Sequence, residues 1–95
     1  MITRIVKLKF QEKYILDFQE FAKEIKTTIK SHEGCLYLEV LQDISDKTIF
    51  FTYSKWNSEE DLNNYRNSEF FRKIWPKTKQ WFSEKPNAWS VNSVE

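Results

Sequence analysis

The spacing of apolar residues changes along this chain, and each change marks the boundary of a predicted secondary-structure element. Residues 2–10 alternate between two faces, which predicts a strand. The mainly apolar face of that strand carries Ile2, Arg4, Val6, Leu8 and Phe10. From about Lys13, apolar residues recur every three or four positions, which predicts a helix that ends near Ser31.

Two further strands are predicted in the middle of the chain. Residues 35–43 alternate, and residues 48–56 are rich in β-branched and aromatic side chains. The turn-forming composition of residues 43–46 predicts a hairpin between them. For the first of these strands we expect one face with Leu36, Leu38 and Val40, and an opposite face with Cys35, Tyr37, Glu39 and Leu41.

The rest of the chain predicts two helices and a last strand. Asn57 or Ser58, followed by three acidic residues, is predicted to cap a helix start, and this short helix is expected to run to about Asn64. A second helix is predicted from Ser68, with Pro76 expected to kink or break it. Residues 88–94 alternate as a final strand.

The resulting order, β-α-β-β-α-β, predicts an α+β ferredoxin-like fold in one domain over residues 1–95. In this fold a four-stranded antiparallel sheet carries its helices on one face. Because the strands have apolar residues on both faces, the uncovered sheet face of a monomer would lie in water. We therefore expect a homodimer joined through the open sheet face.

Composition excludes several classes of protein. Cys35 and His32 are the single cysteine and histidine, so no Cys/His cluster predicts a metal site, and the single glycine, Gly34, excludes a Gly-rich nucleotide loop. Fifteen basic against fourteen acidic residues leave no basic stripe for nucleic acid, although residues 47–53 loosely resemble an RNA-binding strand. The longest apolar run, residues 35–38, is too short to span a membrane, which predicts a cytoplasmic protein.

Aromatic residues are more frequent than a small core requires. Sixteen of the 95 residues are Phe, Tyr or Trp, which predicts a lined cavity or a large subunit interface. His32 is interpreted as a solvated residue at a helix end, and Cys35 as a small buried side chain.

One segment carries a recognisable family pattern. The strand ending in Trp56 is followed by Ser58-Glu59-Glu60, Leu62, Tyr65 and a second helix start at residues 68–71. Residues 32–36 look like the turn between the first helix and the second strand of the same family. With these motifs, the chain resembles the antibiotic biosynthesis monooxygenase family, whose members form dimeric α/β barrels, over nearly its whole length.

The resemblance implies a cofactor-independent monooxygenase. A phenolic or quinol-type small molecule would bind in an apolar pocket, lose a proton and reduce O₂ as its anion, without metal or cofactor. The catalytic residues implied are Tyr65, Arg72 and Asn64. The substrate pocket implied is formed by Arg4, Val6, Trp56, Phe70 and Trp75.

The chain also departs from the family pattern. Many quinol-oxidising members carry His nine and fourteen residues after the tryptophan, where this chain has Tyr65 and Phe70, so the residue that acts as base is open. Haem-degrading relatives have an iron-binding His where this chain has Trp75 and an Asn where it has Val6, which disfavours haem oxygenation. The alternative function is a non-catalytic dimeric module that binds a small molecule or a partner.

Overall fold

The computed structural model describes residues 1–94 of the chain. Its elements are β1 (Ile2–Lys9), a 3₁₀ turn (Glu12–Tyr14), α1 (Ile15–Lys30), β2 (Cys35–Gln42), β3 (Ile49–Trp56), α2 (Glu59–Arg66), α3 (Glu69–Lys79) and β4 (Asn87–Val91). No helix among these residues combines the length and apolar character that a membrane span requires. The cytoplasmic location stays a prediction.

The four strands form one antiparallel sheet in the order β2-β3-β1-β4. Arg4 of β1 lies between Ser54 of β3 and Ser90 of β4, which fixes the register of the three strands. All three helices contribute side chains to the same sheet face, the one that carries Val6 and Leu8. The predicted ferredoxin-like α+β fold is therefore confirmed.

The expected alternation of β2 is wrong at its first residues. The pairing with β3 shifts between Cys35 and Tyr37, so a β-bulge inserts Leu36, whose side chain is 55 % exposed. Cys35 consequently lies opposite Trp56 and packs on the helix side of the sheet instead of the open side. Leu38 and Val40 point toward the helices as expected, because they line the space beneath them.

Both predicted helix starts are confirmed. The hydroxyl oxygens of Ser58 and Ser68 each accept a hydrogen bond from the backbone N–H three residues later, at 3.1 Å. The predicted break at Pro76 is absent, because α3 continues to Lys79. Proline removes the donor that would pair with the Arg72 carbonyl oxygen, and Arg72 is exposed, so water can take that place.

The densely packed part of the core is a phenylalanine cluster made of Phe10, Phe18, Phe50 and Phe82. Phe10 is 1 % exposed, and its ring centroid lies 4.3 Å from that of Phe18, 5.6 Å from Phe50 and 5.2 Å from Phe82. Such aromatic packing buries a large apolar area and adds favourable ring-to-ring contacts. This cluster closes one end of the space between sheet and helices.

The opposite sheet face carries no helix. Tyr37, Leu41, Trp89 and Val91 lie on it and remain between 40 and 48 % exposed. Trp89 and Tyr53 both flank Ile5 in the register, so their side chains form one continuous apolar surface. We call this surface, formed by Ile5, Tyr37, Leu41, Phe51, Tyr53, Trp89 and Val91, the open face.

Candidate functional site

A cavity of about 240 Å³ lies between the sheet and the helices, next to the phenylalanine cluster, and is partly open to solvent. Its floor is formed by β1, β2, β3 and β4, and its walls by α1, α2 and α3. Several of the side chains that line the cavity are small, in contrast to the rings of the phenylalanine cluster: Ala22, Thr52, Thr78 and Ala88. The space exists because these side chains do not fill it.

Tyr65 is the central polar residue of the cavity wall. It is 9 % exposed, its ring stacks on Trp56 at 5.2 Å between centroids, and the edge of Phe71 lies at 5.2 Å. Its hydroxyl makes no hydrogen bond to any residue that the structure describes. Burial raises the pKa of this hydroxyl, and the nearby Cys35 adds to the effect. Tyr65 is therefore a neutral donor near pH 7, and its proton is available to a ligand.

Trp56 supplies the flat surface beneath Tyr65. Its side chain is 1 % exposed, and its indole Nε1–H donates to the hydroxyl oxygen of Ser54 at 3.0 Å. A buried indole N–H needs such an acceptor. Because the N–H is satisfied inside the sheet, Trp56 presents an apolar ring to the cavity.

Three cationic side chains also line the cavity: Arg4 of β1, Lys26 of α1 and Arg66 at the end of α2. Arg4 Nη1 donates to the Ser90 hydroxyl oxygen at 3.0 Å. Burial, and secondly the charge of Arg66, lower the pKa of the Arg4 guanidinium, which nevertheless stays charged. Within residues 1–94, none of the three cations has a carboxylate partner.

The cavity brings together five of the eight residues predicted from the sequence. Arg4, Val6, Trp56, Tyr65 and Trp75 line it. The other three lie elsewhere: Asn64 and Arg72 are exposed, and Phe70 packs at 5.5 Å from the His32 ring. Because α2 turns residues 62, 65 and 66 inward, and α3 turns residues 71, 74, 75 and 78 inward, their neighbours point away.

Sequence reasoning missed Arg66 and Lys26. Arg66 is four residues after Leu62, so the helical spacing that places Leu62 and Tyr65 on one face also places Arg66 there. Lys26 lies beside Ile25 on the inward side of α1. Both were overlooked because a charged residue in an amphipathic helix is usually solvated.

His32 and Cys35 lie behind the cavity wall. The His32 ring is half-buried, with its centroid 4.9 Å from that of Tyr65, and its Nδ1–H donates to the Thr28 carbonyl oxygen at 2.9 Å. His32 therefore lies at the helix end as predicted, and it is only partly solvated because its ring packs against Tyr65. Cys35 is half-buried against the Trp56 and Tyr65 cluster, and burial raises the pKa of its thiol. Among the described residues, no three His, Cys, Asp or Glu side chains gather as a metal site would require.

Solved structures with this fold are numerous, and three illustrate the range. A protein described as an antibiotic biosynthesis monooxygenase is 16 % identical, with a TM-score of 0.93 and full coverage of both chains. A Nitrosomonas europaea protein that carries the same family name is 16 % identical, with a TM-score of 0.91 and full coverage of both. A conserved protein from Methanosarcina mazei is 19 % identical, with a TM-score of 0.90, covering 97 % of this chain and 92 % of its own.

These identities are low, so the structural likeness establishes the fold and leaves the reaction open. No curated protein matches the sequence significantly. The family model for antibiotic biosynthesis monooxygenases matches residues 1–76, which include β1 to β3, α2 and most of α3. This match covers well over half of the chain, which therefore belongs to the antibiotic biosynthesis monooxygenase family.

Proposed function

We propose that this protein is a cofactor-independent monooxygenase that oxidises a phenolic or quinol-type small molecule with O₂ inside the cavity. The observation that carries the proposal is the Tyr65 hydroxyl, which lies at an apolar cavity wall without a protein partner. An unpaired donor in such a place is suited to a ligand oxygen. Family membership supports the same class of reaction.

The chemistry requires an electron-rich anion. A phenol has a pKa near 10, so at neutral pH it must be stabilised as phenolate before it can reduce O₂. A hydrogen bond from Tyr65 and the positive charges of Arg4, Lys26 and Arg66 all favour the anion. Trp56 and Trp75 supply apolar surface for the ring and exclude water from it.

The overall reaction balances without a second reductant. A phenol and O₂ give a quinone and water: one oxygen atom becomes the new carbonyl on the ring carbon that loses its hydrogen. The other oxygen leaves as water with that hydrogen and the phenol proton. All four electrons that O₂ accepts come from the substrate. The protein's part is to bind, orient and stabilise the phenolate.

The phenol proton needs an acceptor. In the part of the chain that the structure describes, no Asp, Glu or His lines the cavity, and the raised pKa of Tyr65 makes it a donor rather than a base. We infer that the proton passes to solvent at the open side of the cavity. The rate is therefore expected to rise with pH as the bound phenol ionises.

Oxygen uptake with a panel of anthrols, naphthols and quinols tests the proposal. We expect Tyr65→Phe to lower the rate by a factor of about 10² to 10³, since it removes one donor to the developing anion. Tyr14→Phe is the matched control, because Tyr14 packs on Trp81 outside the cavity. Uptake that never exceeds spontaneous autoxidation would eliminate the oxygenase.

A non-catalytic binding module is the second candidate. The observation that favours it is the composition of the cavity wall. Among residues 1–94 the wall offers three cations and the neutral Tyr65 hydroxyl, but no His, Asp or Glu that could accept the phenol proton. Such a wall can hold an anionic ligand without turning it over. Mass spectrometry of ligands retained through purification, together with absent oxygen uptake, would support this function.

We also propose that two copies of the chain pack their open faces together. Burying the exposed aromatic and aliphatic side chains of that face would remove a continuous apolar surface from water. Light scattering is expected to give twice the 11.6 kDa chain mass. Trp89→Glu should produce monomers, whereas Leu16→Glu on the outside of α1 should not. A monodisperse wild-type monomer would contradict the dimer.

A further inference from the structure

The cavity wall has an excess of positive charge that one phenolate does not neutralise. Arg4, Lys26 and Arg66 line it, while no Asp or Glu does so within residues 1–94. The chain as a whole is nearly balanced, with a net charge of +1. The three cations are therefore gathered around the cavity rather than reflecting a generally basic surface.

Arg4 and Arg66 line the same cavity, and the charge of Arg66 contributes, after burial, to a lowered pKa of the Arg4 guanidinium. Two guanidinium groups on one cavity wall repel each other, and an anion bound between them offsets the repulsion. Among the described residues, the Arg4 guanidinium donates one hydrogen bond, to the Ser90 hydroxyl oxygen, which leaves other N–H groups of its planar fork available. That fork matches the two oxygens of a carboxylate.

The position of the pair indicates where such an anion would lie. Arg66 is exposed and Arg4 is half-buried, so the pair spans from the solvent edge of the cavity inward. Tyr65 and Trp56, which are 9 % and 1 % exposed, form the more enclosed wall. A ligand with two polar ends would therefore place one at the arginines and the other at Tyr65.

We propose that the substrate is an aromatic carboxylic acid, whose carboxylate binds between Arg4 and Arg66 while its phenolic end meets Tyr65. This inference rests on the proposed function in placing the substrate in this cavity. The reactive species then carries two negative charges against three positive ones. An apolar cavity of about 150 Å³ holds one benzene ring, so about 240 Å³ suits a body of one or two rings.

Binding of 2-naphthoic acid and 2-naphthamide, measured by calorimetry in the absence of O₂, tests the proposal. The two probes share a ring system and differ in charge, and neither is a phenol. We expect the acid to bind at least about tenfold more tightly than the amide, with added salt weakening the acid alone. We expect Arg66→Gln and Arg4→Gln each to remove about tenfold of the acid's affinity and to leave the amide unchanged.

Lys73→Gln is the control, because it removes the same charge from the exposed side of α3. Equal binding of the two probes would overturn the proposal, as would absent binding of the acid at millimolar concentration. Equal weakening of both probes by the arginine variants would also overturn it, since that result means lost packing. None of these results bears on oxygen uptake by uncharged phenols, so the oxygenase and the carboxylate site fail separately.

Discussion

The two ends of the space between sheet and helices use the same strands in opposite ways. At the closed end, Phe10, which directly follows β1, and Phe50 of β3 pack into the phenylalanine cluster and are almost fully buried. At the cavity end, the same strands present Arg4 and Thr52. Phe50 and Thr52 are two residues apart, and Arg4 and Phe10 are six residues apart. These short distances along the chain separate a densely packed aromatic core from a wall that is partly polar and unfilled.

This difference indicates that the closed end contributes most to stability and that the cavity end is suited to ligand binding. Buried rings in contact contribute several kcal/mol each, whereas an unfilled space contributes nothing to stability. A small domain that keeps a cavity must compensate with dense packing elsewhere. The excess of aromatic residues in this sequence is consistent with that need, since rings fill the closed end and also line the cavity.

The largest effect is expected from emptying the closed end. Phe10→Ala should lower the free energy of unfolding by about 3–5 kcal/mol, because Phe10 is 1 % exposed and contacts three rings. Phe71→Ala, at the half-buried cavity wall, should cost only about 1–2 kcal/mol. Urea unfolding of both variants measures the difference, and equal losses would contradict the division between the two ends.

Adding aromatic volume at each end tests the same difference in the opposite direction, because the cavity end has room for it and the closed end does not. Thr52→Phe places a ring in the cavity and should abolish ligand binding while changing the free energy of unfolding by less than about 1 kcal/mol. Phe50→Trp, two residues away on the same strand face, meets filled space and should cost about 1–3 kcal/mol. Calorimetric binding and urea unfolding together test both results. If Thr52→Phe destabilised the protein as much as Phe50→Trp, the cavity could not accommodate a ring, and the proposed ligand site would be contradicted.

A smaller effect concerns the charge of the cavity end. Each cation on the wall lowers the pKa of a bound phenol, so Lys26→Gln should move the midpoint of the rate against pH upward by about one unit. The sign follows because the phenolate is the reactive form, and losing a positive charge disfavours it. Lys23→Gln on the same helix is the control, since Lys23 pairs with Glu20 outside the cavity. Equal midpoints in all three proteins would remove Lys26 from the site.

Much of the fold could be predicted from the sequence because periodicity reports on burial directly. The alternation of β1 placed Arg4 and Val6 on one face with Leu8, the helical spacing after Ser68 included Trp75, and the family pattern marked Tyr65. All five line the cavity. The bulge at Leu36 could not be predicted in this way. One inserted residue leaves the apolar pattern of β2 nearly unchanged while it moves Cys35 to the other face.

The candidate site was harder to predict than the fold, because short helices leave the direction of each side chain uncertain. Over the eight residues of α2, a rotation by one position exchanges Asn64 for Arg66 at the cavity wall. The same ambiguity placed Arg72 in the site, although its side chain is exposed. Composition suggested a cavity, but only the packing of the helices shows which charges surround it.

The smallest effect is a response to acid at the closed end. The hairpin next to β1 is held by Asp46, whose carboxylate accepts from the Thr48 hydroxyl at 2.6 Å and from the Thr48 N–H at 2.9 Å. These bonds, and to a lesser extent the charge of Lys9, lower the pKa of Asp46 below its ordinary value. Because the folded pKa is the lower one, the stabilisation is complete above the unfolded pKa near 3.9 and is lost as the pH falls through the folded value.

Urea unfolding should therefore show that the wild type loses a small part of its stability between pH 6 and pH 2. The Asp46→Asn variant should already lack this part at pH 6. Asp17→Asn, which removes an exposed carboxylate on α1, should leave the difference between the two pH values unchanged. The cavity end gives the contrast, because no carboxylate lines it among residues 1–94. If acid loosened the cavity wall before the hairpin, as measured by hydrogen exchange of α2 against β3, the assignment of acid sensitivity to the closed end would be wrong.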